Sequence, residues 1–280
     1  MIRITIYLFG LFFVINNVYT MENQRDSLKL NYNDTTKFVV KEKDSITYIF
    51  GKNTFALSIK DSAISLCDNA IRKCLTIIGE TNFTTKYRIH FIDSEDEMEK
   101  YTGWRTAGGY VEHDNNIVYI SFRKDEIGPI THELMHMISM SAWGKQPKSS
   151  TWMNEGLSTY AANYCSGYTV EELYRFFLSK NMLFSMDSLS SNFRKYKDMI
   201  SYHQSAFIVQ YLMENFSLEK FKELWQAGFQ DFDKIYGFSF EKLENDIKVY
   251  LNNKYPVPQD IDWDIVGKGC ELINLKEKSK

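Results

Sequence analysis

The chain has 280 residues, 33 Lys and Arg against 36 Asp and Glu, and a formal net charge of −3; it is 44% hydrophobic and 15% aromatic. That composition excludes an intrinsically disordered chain, and a mildly acidic balance without a basic patch at aromatic spacing excludes nucleic acid as a partner. The length suffices for a substantial core in one or two subdomains.

Residues 1–20 read as an export signal, with Arg3, the apolar run 4–15 and Val18-Tyr19-Thr20 as a cleavage site. The run is short for a membrane span. The expectation is an exported protein, extracellular or in the cell envelope, with this segment either removed or kept as an anchor. Residues 21–42 are polar and predict an irregular lead-in. A strand is expected over 46–50, and a long helix over 55–79 with Leu57, Ala63, Leu66, Ala70 and Leu75 near one stripe. A second strand is expected over 87–92, with His90 as a structural residue inside it, and a short acidic helix over 93–101. Residues 108–122 read as a hairpin. Its turn is Asp114-Asn115-Asn116, its second arm is rich in β-branched and aromatic residues, and His113 is a turn residue. Gly108 and Gly109 permit close approach of the backbone to a ligand.

Residues 132–136 read His-Glu-Leu-Met-His. Ile127, Ile130, Leu134 and Ile138 form an apolar stripe at helical spacing, and Pro129 suits a first turn. Two histidines four apart share one helix face, so both imidazoles can hold one metal ion. Glu133, one step round, can reach a water on that metal, which is the H-E-x-x-H arrangement of zinc peptidases. A catalytic zinc takes three protein ligands, so a third donor is required. The Gly-, Lys-, Ser- and Pro-containing stretch 144–150 lets the chain turn back, and a helix from Thr151 then brings Glu155 alongside. Leu157, Tyr160, Ala161 and Tyr164 are expected to bury that helix's other face. Further helices are expected over 169–179, 201–216, 218–228 and 240–251, followed by a tail over 256–280.

The four cysteines are Cys67, Cys74, Cys165 and Cys270. Cys67 and Cys74 lie about 10 Å apart along one expected helix, too far for a mutual disulfide. Their pairing elsewhere stays open. No C-x-x-C is present, so a thiolate zinc site is not expected.

Trp152-Met153-Asn154-Glu155-Gly156-Leu157-Ser158 resembles the Trp-Leu-Asn-Glu-Gly-Phe-Ala stretch of aminopeptidase-N-type enzymes. It also resembles the shorter Glu-Gly-Leu-Ala of small peptidase-MA-like proteins. With H-E-x-x-H ahead of it, the chain resembles the gluzincin zinc metallopeptidases over residues 43–255. Ser158 stands where the family pattern often has Ala or Asp. The resemblance implies an α+β, zincin-like fold: a small mixed-sheet subdomain over 43–145, a helical one over 146–255, and the metal between them. It implies one Zn2+ held by His132, His136 and Glu155, with Glu133 as the catalytic base.

Residues 200–212 resemble the Tyr-x-x-Ser-x-Phe-x-x-Tyr-Leu helix of the same domains. This implies Tyr202 as the donor to the oxyanion, with His203 the alternative one residue on. The family's edge strand holds an extended substrate, which implies a substrate-binding role for Gly109, Tyr110, Val111 and Glu112. Residues 109–113 also line up with the aminopeptidase Gly-x-Met-Glu-Asn motif, matching only its Gly and Glu; Glu112 is then either an anchor for a free α-amine or a solvent-facing hairpin residue. The expected function is hydrolysis of peptide bonds in a peptide or protein substrate through a zinc-bound water, with Glu133 as general base. The alternatives are an aminopeptidase anchored by Glu112 and an inactive zinc-binding interaction module.

Overall fold

The computed structural model describes residues 31–124, 126–144, 151–196, 198–267 and 269–270. The expected signal at 1–20, the lead-in as far as 30, most of the loop 144–150 and the tail beyond 270 lie outside the described residues. Residues 31–38 fold on themselves: Phe38 N donates to Asp34 O (3.0 Å), and the Tyr32 and Phe38 rings sit 5.6 Å apart.

Three runs of β-branched and aromatic residues make the centre of a sheet. The strands are β1 (Phe38–Lys43), β2 (Ile46–Gly51), β3 (Tyr87–Ile92), β4 (Gly109–Glu112) and β5 (Ile117–Ser121), in the spatial order β1-β2-β3-β5-β4. β2 pairs parallel with β3, β3 parallel with β5, and β4 antiparallel with β5. Strands β2, β3 and β5 are buried almost throughout, as strands covered on both faces are. β1 was not expected, because its Lys41-Glu42-Lys43 end has the charge of a loop. As an edge strand it carries those charges in solvent.

The helices are α1 (Phe55–Ser58), α2 (Lys60–Ile77), α3 (Glu95–Thr102), α4 (Ile130–Trp143), α5 (Thr151–Ala162), α6 (Val170–Ser179), α7 (Met186–Asn192), α8 (Asp198–Asn215), α9 (Leu218–Ala227), α10 (Phe232–Tyr236), α11 (Phe240–Lys254) and α12 (Trp263–Val266). Thr54, Ser94, Thr169, Ser185, Ser217 and Ser239 each accept a first-turn N–H and so set where α1, α3, α6, α7, α9 and α11 begin. At α6 the cap is reciprocal, since Glu172 reaches back to the Thr169 N–H.

Two of the expected helices change. The single helix over 55–79 is split at Ile59, whose backbone (φ −125°, ψ 35°) leaves the helical region. α5 ends at Ala162, because Asn163 adopts a left-handed φ of 46°. Tyr164 therefore lies past the helix and is 63% exposed instead of packing beneath it.

One continuous core joins the sheet to the helices, through Phe50, Phe91 and Val118, then Leu134 and Ile138, then Trp152, Leu157, Phe207 and Leu212. The sheet and helical subdomains expected on either side of residue 145 thus share a single interior, within one unit running from Val39. Helix α8 lies at its centre, with Ser201 and the whole run from His203 to Val209 buried. A helix enclosed on all sides needs its polar groups met, and Gln204 does so by bonding both N (2.9 Å) and O (2.8 Å) of Phe184. The C-terminal end of α4 is closed by α9: Trp225 Nε1–H donates to Gly144 O (3.0 Å) and Gln226 Nε2–H to Trp143 O (3.1 Å).

The described part of the stretch expected as a tail packs on the rest of the fold. Ile261 and Val266 enter a second apolar cluster with Leu173, Phe177 and Ile200, and Cys165 is joined to Cys270 by a disulfide. Cys67 and Cys74 are buried free thiols, unpaired with each other as their spacing required. Closing a chain segment with a sequence separation of 105 removes much freedom from the unfolded chain. Replacing both Cys165 and Cys270 by Ser is expected to lower unfolding stability by about 2–4 kcal/mol, read from denaturant melts without reductant; unchanged melts would show the bond contributes nothing.

Candidate metal centre

The site is assembled where the sheet's edge, the start of α4 and the middle of α5 meet. Gly128 N donates to Ser121 O (2.7 Å), and Ser121 N to Gly108 O (2.9 Å), so the end of β5 ties the entrances of β4 and α4 together. This fixes the first turns of α4 beside β4. The apolar stripe Ile127, Ile130, Leu134 and Ile138 is buried as expected. His132 and His136 stand one turn apart on the adjoining face, with Nε2 atoms 3.0 Å apart.

Glu155, on α5, aims one carboxylate oxygen at the same point. Its Oε2 lies 3.4 Å from His132 Nε2 and 3.2 Å from His136 Nε2. Three electron-pair donors at such separations repel one another unless a positive charge lies among them. Donor separations of about 3.3 Å are also what a tetrahedral ion with bonds of about 2.0–2.1 Å requires, and two imidazoles with a carboxylate are a zinc-type donor set. The residues present therefore fit the metal.

The electrostatics agree. Burial opposes a charged His136, yet the Glu155 carboxylate and Glu133 outweigh it and raise its pKa to about 9. Burial likewise works against an ionised Glu155, but His136 and His132 hold its carboxyl well below the usual carboxylate range. The pocket thus stabilises a cation at the meeting point and an anion facing it.

The helix that brings Glu155 also aims the rings. His136 Nδ1–H donates to Asn154 Oδ1 (2.9 Å), with Ser158 Oγ at 2.9 Å on the same nitrogen, and Thr159 Oγ1 lies 3.4 Å from His132 Nδ1. Such contacts turn each Nε2 inward. Sequence reasoning missed these three roles, although Asn154, Ser158 and Thr159 share Glu155's helix face, which is the signal that reveals them. Ser158, a departure from the family pattern, is here a partner of the His136 ring.

Glu133 is buried against the backbone of β4. A Cβ on Gly109 would fall 2.5 Å from Glu133 Cγ and 2.7 Å from its Cδ. Burial raises the Glu133 pKa, with His132 and His136 pulling back. On α8, the Tyr202 ring lies 6.0 Å from the His132 ring and is braced edge-on by Phe193 at 5.1 Å. His203 turns elsewhere: its Nδ1–H donates to Met199 O (2.8 Å), its Nε2 faces Cys270 Sγ (3.8 Å), and burial lowers its pKa to about 4. Of the two candidate donors, Tyr202 is the one whose ring lies against a ring of the three-donor cluster.

The four strand residues are divided by the pleat. The Cβ direction of Gly109 points at Glu133 and Val111 packs on the main core, so Tyr110 and Glu112 fall on the other face. Tyr110 packs against Tyr119 (6.5 Å), and Glu112 accepts from Asn115 Nδ2 (2.7 Å). The fold does not bring the Glu112 carboxylate to the three donors. It does bring Arg194, which no motif marks: its Nη2 lies 3.8 Å from Glu155 Oε1.

Residues 93–253 match the family model described as the peptidase MA superfamily. The chain belongs to that superfamily. The superfamily is of a metallopeptidase type, and its match lies within a mixed α+β architecture. An aminopeptidase N family protein from Idiomarina loihiensis is structurally similar at a TM-score of 0.39 and 13% identity, over 85% of this chain and 47% of that one. This chain thus spans about half the length of that protein. No curated protein matches it.

A methyl at position 109 would also meet the Tyr119 backbone O at 2.8 Å, whereas one at 108 finds nothing nearer than Pro129 Cδ at 3.5 Å. Gly109→Ala in this peptidase MA domain is expected to cost about 1–3 kcal/mol in urea denaturation, and Gly108→Ala within about 0.5 kcal/mol. Equal costs would remove the close approach of β4 to Glu133.

Proposed function

We infer that the chain is a zinc-dependent peptidase that cleaves peptide bonds with Glu133 as general base. The observation that carries this is the convergence of His132 Nε2, His136 Nε2 and Glu155 Oε2 within 3.0–3.4 Å, with the buried Glu133 on the same helix. His132, His136 and Glu155 would hold one zinc. When bound, zinc polarises a carbonyl and acidifies water.

The chain's own residues supply the rest. Glu133, its proton affinity raised by burial, accepts a proton from the attacking water and passes it to the leaving amine. Tyr202 donates a hydrogen bond to the oxyanion. The outer edge of β4, residues 109–112, offers backbone groups to an extended peptide, and Gly109 keeps that peptide close to Glu133. The leader-like residues 1–20 and the Cys165–Cys270 disulfide support an exported protein, since disulfides persist in oxidising compartments. The catalytic domain on this reading runs past residue 255 to the Cys270 anchor. The aminopeptidase alternative rests on a Glu112 already engaged by Asn115, and no observation favours an inactive module.

Metal-replete protein incubated with a peptide library is expected to give cleavage that a chelator abolishes and zinc restores; no chelator-sensitive cleavage overturns the reading. Glu133→Gln is expected to keep one zinc per chain by elemental analysis while losing hydrolysis, and full activity in that variant would end the base assignment. Tyr202→Phe is expected to lower kcat by about a hundredfold; an unchanged kcat would take the donor role from Tyr202.

A further inference from the structure

Arg194 lies in the 3₁₀ turn Phe193–Lys195 that joins α7 to α8. We propose that its guanidinium receives a carboxylate of the peptide substrate, so that the enzyme prefers substrates with an acidic group within a residue or two of the scissile bond. This rests on the peptidase reading above.

The backbone at this position is held on both sides. Phe193 is buried and braced against Tyr202, and Tyr196 packs on Phe184 with ring centroids 4.4 Å apart. The side chain between these anchors is 81% exposed. It stands over the outer oxygen of Glu155 at 3.8 Å, beyond hydrogen-bond length, and among the described residues it makes no hydrogen bond. Glu155 is already engaged through its other oxygen by both rings. An exposed ion pair at this distance contributes at most about 1 kcal/mol, so holding Glu155 does not account for the arginine. Its planar fork of N–H donors is open to solvent and matches an incoming carboxylate in bidentate geometry. A strand advances about 3.3 Å per residue, which places groups one or two residues from the scissile bond within the reach of an arginine beside the metal ligand. Lys195 adds a second positive charge to the same turn. The partner carboxylate is either the C-terminus of the peptide or an Asp or Glu side chain.

The test measures binding of three N-acetylated alanine pentapeptides to zinc-loaded Glu133→Gln protein by calorimetry. One peptide has a free C-terminus, one a C-terminal amide, and one an amide plus a single Asp. At least one carboxylate-bearing peptide is expected to bind about tenfold more tightly than the plain amide, and the one that does identifies the source. The preference is expected to vanish in Arg194→Gln and to survive in part in Arg194→Lys. Equal affinities, no detectable binding of any peptide, or a preference that persists in Arg194→Gln overturn the proposal. So does loss of zinc from Arg194→Gln, which would make the arginine a support for Glu155. Absence of chelator-sensitive cleavage by the unmodified protein sinks the peptidase reading instead, and is scored separately from this binding preference.

Discussion

Everything at the site depends on one helix lying against two others at close range. Glu155 faces the histidine pair on α4, and the next residue, Gly156, faces α8. A Cβ at 156 would stand 2.8 Å from both the C and O of Ser205. Any side chain there would push α5 off α8, and α5 could not then hold its place between α8 and α4. Consecutive residues therefore serve consecutive needs: Asn154 orients a ring, Glu155 faces the centre, Gly156 permits the approach, and Ser158 and Thr159 return to the rings. A buried anion opposite two imidazoles is costly unless a positive charge joins them, so the same contact that fixes the helices also gathers a donor set that could hold a metal ion.

The enclosure of α8 explains why neighbouring residues Tyr202 and His203 differ so sharply. A step of one residue turns about 100° around a helix. With the middle of α8 enclosed, that step carries the side chain from the His132 ring to the cluster around the Cys165–Cys270 disulfide. Buried and neutral, His203 ties its own helix turn through Met199.

The sequence is legible where chemistry and spacing are local. His132, Glu133 and His136 declare themselves because a single helical turn sets their relation. Glu155 follows from the metal's need for a third donor. Helices α3, α6, α9 and α11 are legible from local pattern, and Ser or Thr caps mark their starts, whereas α7, capped by Ser185, has no counterpart among the expected helices. What fails is whatever a distant neighbour decides. The break at Ile59 carries no Gly or Pro. β1 is a strand because β2 lies beside it, despite its charged end. Tyr164 fits a helical stripe, but Asn163 ends the helix first. Arg194 has no motif, because only the return of α7 toward Glu155 gives it meaning. Glu112 matches a family position in letters, yet the pleat of β4 turns it toward Asn115.

The two borders of the sheet are treated in opposite ways. β1 ends in Lys41, Glu42 and Lys43, whose charges discourage another chain from adding itself there. β4 carries a single charge, at Glu112, and is left open, but it is only four residues long. Confining the lightly charged border to four residues denies a foothold to a growing fibril, which needs a longer edge to add to.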